Sequence, residues 1–185
     1  MRVLIDANVL YPTVLREIVT GVAAEGMFTP LWSARILEEW ALAARRLGPG
    51  QEVVARGEIA LLHARWPEAE VAAGDTAGDK GGDTGGLYLP DPDDIHVLAA
   101  AKAGGAEVIL TQNLKDFPRR ELEIHLLRAE APDDFLMHLW LHHPADVERV
   151  VRAVQGRTEE ISGREQPLRA LLRRARLPRL GKALT

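Results

Sequence analysis

The sequence has no cysteine, no long apolar run and no strong excess of charge of one sign. The absence of cysteine excludes disulfides, thiolate metal sites and cysteine nucleophiles, so any bound metal must have oxygen or imidazole ligands. No apolar stretch approaches the length that spans a bilayer, and the amino terminus shows no secretory pattern. We therefore expect a cytoplasmic protein with no membrane partner.

The charge balance gives no general attraction to polyanions. The formal net charge is -4, so a nucleic-acid partner would need a local basic patch or bridging cations. With 185 residues, 46% of them hydrophobic and 27% charged, the chain can bury a core of its own. Composition therefore favours a folded globular domain over a disordered or fibrous chain.

Short apolar runs alternate with helical patterns along the chain. Strands are predicted at residues 3–5, 27–32, 107–110 and 122–127. Helices are predicted at residues 12–25, 33–47, 52–64 and 95–103, then from 132 onward and from 144 to about 155. Ser33 is the expected N-cap of the second of these helices. This alternation indicates a three-layer α/β/α fold with a mostly parallel central sheet.

Residues 1–130 form the predicted α/β domain, and a segment rich in Gly, Asp and Thr interrupts it at 70–88. We expect this segment to be a flexible loop insertion, because few of its side chains can pack. Asp75, Asp79 and Asp83 recur there every four residues, which does not match the alternating ligands of an EF-hand. A solvated loop is therefore favoured over a calcium site.

Residues 131–185 are predicted to form a helical C-terminal extension with a basic tail. In that tail, Arg169, Arg173 and Arg176 would share one face of a helix, with leucines on another. Two interpretations stay open: a solvated helix face, or a face that contacts phosphate groups or docks a partner.

A carboxylate follows the first predicted strand. Asp6 and Asn8 come directly after the apolar run 3–5, at what would be the carboxyl end of a central strand. In doubly wound sheets, ligands bind in the crevice outside the carboxyl ends of the strands. Asp6 could contribute to such a site, or it could simply cap the following helix, and both interpretations stay open.

The most informative stretch is LPDPDDIHVLAAAKAGGAEVILTQNLKDFP, residues 89–118. Pro90 and Pro92 hold the neighbouring aspartates in a non-helical entry, and Asp94 is expected to N-cap the helix that follows with its carboxylate. The next strand is followed by Asn113 and Asp116. Strand-end geometry places Asp94, Asn113 and Asp116 near one point, close to Asp6.

Carboxylates that converge repel one another and lose hydration, so such a cluster costs stability unless a cation lies there. Hard divalent ions such as Mg²⁺ bind carboxylates, keep several waters and use the remaining positions for substrate phosphate. The chemistry that fits is metal-assisted phosphodiester hydrolysis, which requires no cysteine or serine nucleophile.

An aspartyl-phosphate enzyme or receiver-like domain is a competing interpretation, because Asp6 at a strand end could be a nucleophile. That interpretation expects a second acid two residues after Asp6, or a lysine at the end of a later strand. Asn8 and Thr111 supply neither, so it is disfavoured. The histidines do not form a convincing zinc site, since His142 and His143 are adjacent and would point apart on a helix.

Four sequence elements together resemble the PIN domain family over roughly residues 1–130: VLIDANVL, the pair Glu38 and Glu39 after Ser33, DPDDIHVLAAAKA and TQNLKDFP. The resemblance is closest to bacterial PIN proteins, many of which are ribonuclease toxins of toxin–antitoxin pairs. It implies a PIN-like sheet, an acidic cluster that binds Mg²⁺ or Mn²⁺, and endonucleolytic cleavage of RNA. An antitoxin protein is the partner it implies, and we also allow for a homodimer.

The position of each acid within these motifs indicates its role in metal binding. The resemblance makes Asp6 the first metal-binding acid and Asp94 the third. The second falls on Glu38 or Glu39; helical phase does not decide between them, and we favour Glu39.

This chain has Asn113 where many family members carry Asp. Asn brings no charge, so we expect weaker cation binding unless Asp116 takes part. The predicted catalytic and metal-binding set is Asp6, Glu39, Asp94, Asn113 and Asp116. Supporting roles are predicted for Asn8, which would orient Asp6 by hydrogen bonding, and for Asp91, Thr111 and Glu38.

Two functional hypotheses follow. The first is a metal-dependent endoribonuclease that acts as the toxin of a toxin–antitoxin pair. The second is a catalytically weak PIN module that binds nucleic acid or an antitoxin-like partner, which Asn113 and the arginine-rich tail favour.

Overall fold

Four parallel strands form the central sheet of the computed structural model, which describes residues 1–72 and 86–185. The strands are β1 (Arg2–Ile5), β2 (Thr29–Leu31), β3 (Val108–Leu110) and β4 (Arg128–Glu130). Their spatial order is β2, β1, β3, β4, and each adjacent pair is parallel. The prediction of a mostly parallel sheet is therefore confirmed.

Strand β1 lies between two neighbours. Leu4 pairs with Leu31 on one side and with Ile109 on the other. The last three residues of β1 have no exposed surface, as expected for a strand whose two faces are both covered by helices. Ile5 pairs with Leu110, so the carboxyl ends of β1 and β3 lie side by side. This register sets the position of the functional site.

Helices surround the sheet and give the three-layer α/β/α architecture. Within the described residues they are α1 (Ala7–Leu10), α2 (Thr13–Ala24), α3 (Ala34–Ala44), α4 (Gln51–Arg65), α5 (Ile95–Ala103), α6 (Arg119–Glu123), α7 (Pro132–His142), α8 (Pro144–Ser162), α9 (Leu168–Arg174) and α10 (Pro178–Ala183). Short 3-10 turns occupy Arg45–Leu47, Pro92–Asp94 and Leu114–Asp116.

Helix ends follow local signals. Ser33 Oγ accepts a hydrogen bond from the backbone N–H of Ile36 at 3.3 Å and begins α3, as its predicted capping role requires. Helix α8 continues to Ser162, beyond its predicted end near 155. It ends where Gly163 adopts a left-handed conformation with φ of 65°.

The predicted strand at 122–127 is wrong. Helix α6 occupies its first residues, and the strand β4 begins only at Arg128. Pro118 precedes a helical turn that buries Leu122 completely. Leu126 then turns the chain with φ of 59° while 91% of its surface is exposed. The apolar run therefore reports a buried helical turn and a corner rather than a strand.

The C-terminal helices pack onto the same continuous core as the strands, with α8 against α2 and α7. Asp133 holds the tail, since its carboxylate accepts hydrogen bonds from the backbone N–H groups of Arg179 at 2.9 Å and Leu180 at 3.0 Å. The domain boundary near residue 130 stays a prediction.

The predicted shared face of the three tail arginines is wrong for Arg176. Helix α9 ends at Arg174, and Arg176 lies beyond it with φ of 60°. Ala175 and Leu177 are buried, so the chain turns there to cover the core and leaves the helical path.

The predicted flexible insertion at 70–88 falls largely outside the described residues, and so do Asp75, Asp79 and Asp83. In the part of the chain that is described, no helix has both the length and the apolar composition needed to cross a bilayer.

Candidate metal centre

Asp6 follows β1 and is almost fully buried, with 6% of its surface exposed. Its Oδ2 accepts hydrogen bonds from Thr111 Oγ1 at 2.6 Å and from Asn8 Nδ2 at 2.5 Å. Asn8 Nδ2 also lies 3.0 Å from Thr111 Oγ1, so these side chains join the ends of β1 and β3. Asp6 occupies the N-cap position of α1 but makes no capping hydrogen bond there with its side chain. Its contacts therefore differ from those of a simple helix cap.

Burial raises the pKa of Asp6 above its ordinary value. The hydrogen bond from Thr111 opposes this shift, whereas the negative charge of Glu39 adds to it. The ionised form of Asp6 is thus costly in the folded protein. A cation nearby would relieve that cost.

Three further aspartates meet beside Asp6. Asp91, Asp94 and Asp116 each place a carboxylate oxygen within 4.8 Å of the others. Burial raises the pKa of Asp94 to about 6, and the charges of Asp6, Asp91 and Asp116 add to the shift. The structure therefore brings together aspartates from the turn before α5 and from the turn after β3, and places them near enough to Asp6, just after β1, for its charge to act on Asp94.

The predicted capping of α5 by the Asp94 carboxylate is wrong. Asp94 holds the N-cap position, but its side chain makes no capping hydrogen bond. Asp91 Oδ1 instead accepts from the backbone N–H of Asp93 at 2.9 Å and caps the short turn Pro92–Asp94. That extra turn moves the capping side chain three positions toward the amino terminus, from Asp94 to Asp91. It leaves the Asp94 carboxylate to face the other acids.

Asn113 contacts Asp116. Its side-chain amide donates a hydrogen bond to Asp116 Oδ2, and its backbone N–H donates to Thr111 Oγ1 at 3.0 Å. The neutral side chain thus fixes an acid three residues later, and that acid joins Asp91 and Asp94. The charge missing at position 113 is supplied from position 116.

The two glutamates of α3 have different partners. Glu39 Oε1 lies 3.0 Å from His96 Nε2 and 3.2 Å from Arg35 Nε. Partial burial works to raise the pKa of Glu39, but the hydrogen bond and charge of His96, helped by Arg35, hold it below its ordinary value. Glu38 forms two hydrogen bonds of 2.9 Å with Arg56 of α4. Of the two glutamates, Glu39 is the one whose negative charge raises the pKa of Asp6.

His96 is a site residue that sequence reasoning missed. It is 3% exposed, and its Nδ1 is buried without a hydrogen-bond partner among the described residues. Considering histidines only as zinc ligands overlooks a histidine that holds an acid. The signal in the sequence is a polar residue among the apolar residues that begin the helix, two positions after Asp94.

The tail arginines fall into two groups. Arg169 and Arg173 line a pocket that contains no acidic residue. Arg174 and Arg176 line a different cleft, which also contains Glu39. The sequence therefore singled out one of the two tail arginines that line the cleft with Glu39 and missed the other.

The donor set fits a hard divalent cation. Asp91, Asp94 and Asp116 offer carboxylate oxygens that are close enough to share one ion, and Asp6 acts electrostatically on Asp94. Oxygen-only sites of this kind suit Mg²⁺ or Mn²⁺. The raised pKa of Asp94 reports the crowding that such an ion would relieve.

Comparison with known proteins agrees with this geometry. The family model described as "PIN domain" matches residues 2–115, more than half of the chain. The chain therefore belongs to the PIN domain family, which leaves the receiver-like interpretation without support.

A Mycobacterium tuberculosis protein named "Putative ribonuclease VapC50" is 54% identical over 44 residues. That stretch covers 24% of this chain and 26% of the relative, so the chain matches about a quarter of that protein's length. No solved structure matches the chain significantly.

Proposed function

We propose that this chain is a divalent-metal-dependent endoribonuclease that hydrolyses RNA phosphodiester bonds and acts as the toxin of a toxin–antitoxin pair. The observation that carries the proposal is the group Asp91, Asp94 and Asp116, with Asp6 beside it and the pKa of Asp94 raised to about 6. Membership of the PIN domain family and the ribonuclease named among its relatives support the same function.

The residues take distinct roles in this proposal. Asp91, Asp94 and Asp116 would hold Mg²⁺ or Mn²⁺, with Asp6 and Glu39 as the further metal-binding acids that the PIN motifs assign. The metal, when bound, supplies an activated water and neutralises charge on the reacting phosphate. Asn113 fixes the position of Asp116 by its amide hydrogen bond.

The supporting side chains fix the positions of two acids, Asp6 and Glu39. Asn8 and Thr111 hold one oxygen of Asp6, which leaves the other oxygen of that carboxylate outside these contacts. His96 fixes Glu39 in the same way. Such partners of metal-binding groups commonly change metal affinity or activity by about 10- to 100-fold when they are removed.

A cleavage assay tests the proposal. Purified protein is incubated with single-stranded RNA and Mg²⁺ or Mn²⁺, and we expect cutting that stops when the metal is chelated. Asp94→Asn should abolish cutting. Asp93→Asn is the matched control, because it removes one charge from the same turn at an exposed side chain outside the cluster. Retained cutting by Asp94→Asn, with metal dependence intact, would contradict the assignment.

The toxin role has its own test. Expression of the wild-type chain should arrest growth of a bacterial host, and Asp94→Asn should remove that arrest without lowering the amount of folded protein. Equal arrest by both forms would contradict a toxin that acts by cleavage. The cytoplasmic location, the antitoxin partner and the homodimer remain predictions from the sequence.

A second function is a PIN module that binds RNA or an antitoxin-like partner without cutting. It is favoured by Asn113, whose side chain brings no charge to the cluster, and by the arginines of the tail. RNA binding that persists in a chelator, with no cleavage under any divalent metal, would select this function over the first.

A further inference from the structure

A cleft of about 540 Å³ lies where the C-terminal tail meets the rest of the molecule, and Glu39 is the acidic residue in its lining. We call it the tail cleft. Its lining includes the polar residues Asn8, Glu39 and Gln112 and the cations Arg46, Arg174 and Arg176. Tyr11 also lines it and adds an aromatic surface. The cleft therefore combines an acidic end with cations from two distant parts of the chain.

The three guanidinium groups of the tail cleft have no carboxylate partner in the part of the chain that the structure describes. Among the described residues, no carboxylate lies within 4.0 Å of the side chains of Arg46, Arg174 or Arg176, although many other arginines are ion-paired. Arg45, for example, pairs with Glu52. All three cleft arginines are exposed. Their positive charge is therefore available to an anionic ligand.

Two of these arginines are held by neutral amides. Arg176 Nη1 donates to Gln112 Oε1 at 2.9 Å, and Arg174 Nη2 donates to Gln166 Oε1 at 2.5 Å. An amide partner fixes a guanidinium without neutralising its charge. Each side chain is thus partly ordered before any ligand arrives, which lowers the entropy cost of binding.

Hydrogen bonds connect the tail cleft to the acidic site. Gln112, which accepts from Arg176, donates from Nε2 to the backbone oxygen of Asn8 at 2.9 Å. Its backbone N–H donates to Asn8 Oδ1, also at 2.9 Å. The Asn8 amide in turn contacts Asp6. A continuous series of hydrogen bonds therefore connects Arg176 of the tail to Asp6.

From these observations we infer that the tail cleft is a phosphate-binding subsite for single-stranded RNA. Arg46, Arg174 and Arg176 bind phosphodiester groups that neighbour the one at the acidic cluster. Guanidinium groups suit this ligand because their planar N–H donors match phosphate oxygens. Tyr11 offers a surface on which a base can stack. The inference rests on the proposed function in taking RNA as the ligand.

A polyanion with repeating charge fits this arrangement better than a single small anion. The carboxylates would repel phosphate at the acidic end unless a cation lies there, while the arginines attract it at the other end. A strand of RNA can satisfy both ends, with one phosphate near the metal and the next ones along the tail cleft. An acidic peptide is the competing occupant that the test separates.

Binding is measured by fluorescence anisotropy with a short labelled single-stranded RNA, using the full chain carrying Asp94→Asn so that the probe stays intact. We expect Arg174→Gln with Arg176→Gln to weaken binding roughly tenfold or more. The slope of log K against log salt should become shallower by about 0.7 for each lost phosphate contact. Arg46→Gln tests the cleft without disturbing the amide contacts of the tail.

Arg164→Gln with Lys182→Gln is the matched control. Both residues are exposed cations of the same tail, and neither lines the tail cleft, so the pair removes the same charge. We expect this control to change affinity less than about twofold, the effect of general electrostatics. Thermal unfolding of every variant confirms that the fold is kept.

Each outcome decides one point. Equal losses in the control and cleft variants, or no loss in the cleft variants including Arg46→Gln, would overturn the subsite. Losses confined to Arg169→Gln with Arg173→Gln would do the same and favour the helix face predicted from the sequence. Displacement of RNA by an acidic peptide that binds more tightly would overturn RNA as the occupant.

The subsite and the nuclease function can fail separately. If the wild-type chain cuts RNA but the variants bind as well as it does, the subsite alone is wrong. If the cleft variants lose RNA binding but the wild-type chain never cuts with any divalent metal, the subsite stands and the nuclease proposal fails.

Discussion

At the scale of single residues, the site depends on carboxylates that are hard to ionise without a cation. Asp94 shows this most clearly, because burial and three neighbouring acids raise its pKa to about 6. The sequence located Asp94, Asp6 and Asp116 from strand-end geometry. It misjudged the cap, because nothing in DPDD shows whether the first or the last aspartate accepts the backbone N–H. It also missed the contact of His96 with Glu39, which joins residues far apart in the chain.

The stability of the metal-free protein should depend on pH through Asp94. Its folded pKa of about 6 lies above its ordinary value of 3.8, so between these values the folded state keeps a proton that the unfolded state loses. The contribution of Asp94 to stability is full below the lower value and is lost as pH rises through about 6. Thermal unfolding in a chelator between pH 4 and 7 should therefore show a steeper decline for the wild type than for Asp94→Asn. Parallel curves would contradict the raised pKa.

Metal should reverse that loss. Protons and divalent ions compete for Asp94, so Mn²⁺ should raise the unfolding temperature clearly at pH 7 and much less at pH 5. The stabilisation should reach about 2.7 kcal/mol when free metal is 100 times its dissociation constant. A metal effect independent of pH would place the ion elsewhere, and Asp93→Asn serves as the variant that should keep the effect.

His96 should act through Glu39 as a positioning residue. Replacing it with alanine removes the donor 3.0 Å from Glu39 Oε1, so we expect metal affinity to fall about 10- to 100-fold. His96→Gln can restore a donor and should recover part of the loss. The readout is the metal concentration that gives half-maximal stabilisation. If glutamine and alanine give the same result at equal stability without metal, the role is packing alone.

At the scale of helices and strands, apolar pattern predicted most elements but not where an apolar run bends. The run 122–127 contains a buried leucine, a corner and the approach to β4, and only tertiary packing distinguishes this from a strand. Arg176 illustrates the same limit. Its helical spacing from Arg173 is present in the sequence, but the chain leaves the helix after Arg174. Helix starts were better predicted, because a residue such as Ser33 acts locally.

The attachment of α10 should depend on Asp133. Its nearly buried carboxylate accepts two backbone N–H groups at the start of that helix. Asp133→Ala should lower the free energy of unfolding by about 0.5–2 kcal/mol, the range for a lost helix cap. Asp134→Ala is the neighbouring control, since Asp134 forms an exposed ion pair with Arg179 and should matter less. Urea unfolding that ranks the two variants in the opposite order would contradict this role.

At the scale of the whole molecule, the C-terminal helices return to the sheet and bring the basic tail to the acidic edge. The net charge of -4 does not reveal this arrangement, because it sums all charges and says nothing about where the cations and carboxylates lie. Composition predicted one folded unit with a basic end. It could not predict which arginines reach the site, since that depends on the contact of Gln112 with Arg176.

The packing of α8 on α2 should depend on the absence of a side chain at Gly21. A Cβ there would lie 2.5 Å from Val150 Cγ1, and valine is stiff in a helix. Gly21→Ala should therefore destabilise the protein by about 1–3 kcal/mol through overpacking. In a Val150→Ala background, Gly21→Ala should cost less than it does in the wild type. Additive effects in a double-mutant cycle would contradict direct contact between the two helices at this point.

The measurement that tests the central claim most directly is a Mn²⁺ titration followed by the electron paramagnetic resonance signal of the free ion. If aspartates from separate segments form one metal site, the wild type will remove free Mn²⁺ from solution, while Asp94→Asn and Asp116→Asn will bind it far more weakly. Asp93→Asn will bind as the wild type does. A wild type that leaves the free signal unchanged, or a loss as large in Asp93→Asn as in Asp94→Asn, would contradict the metal centre.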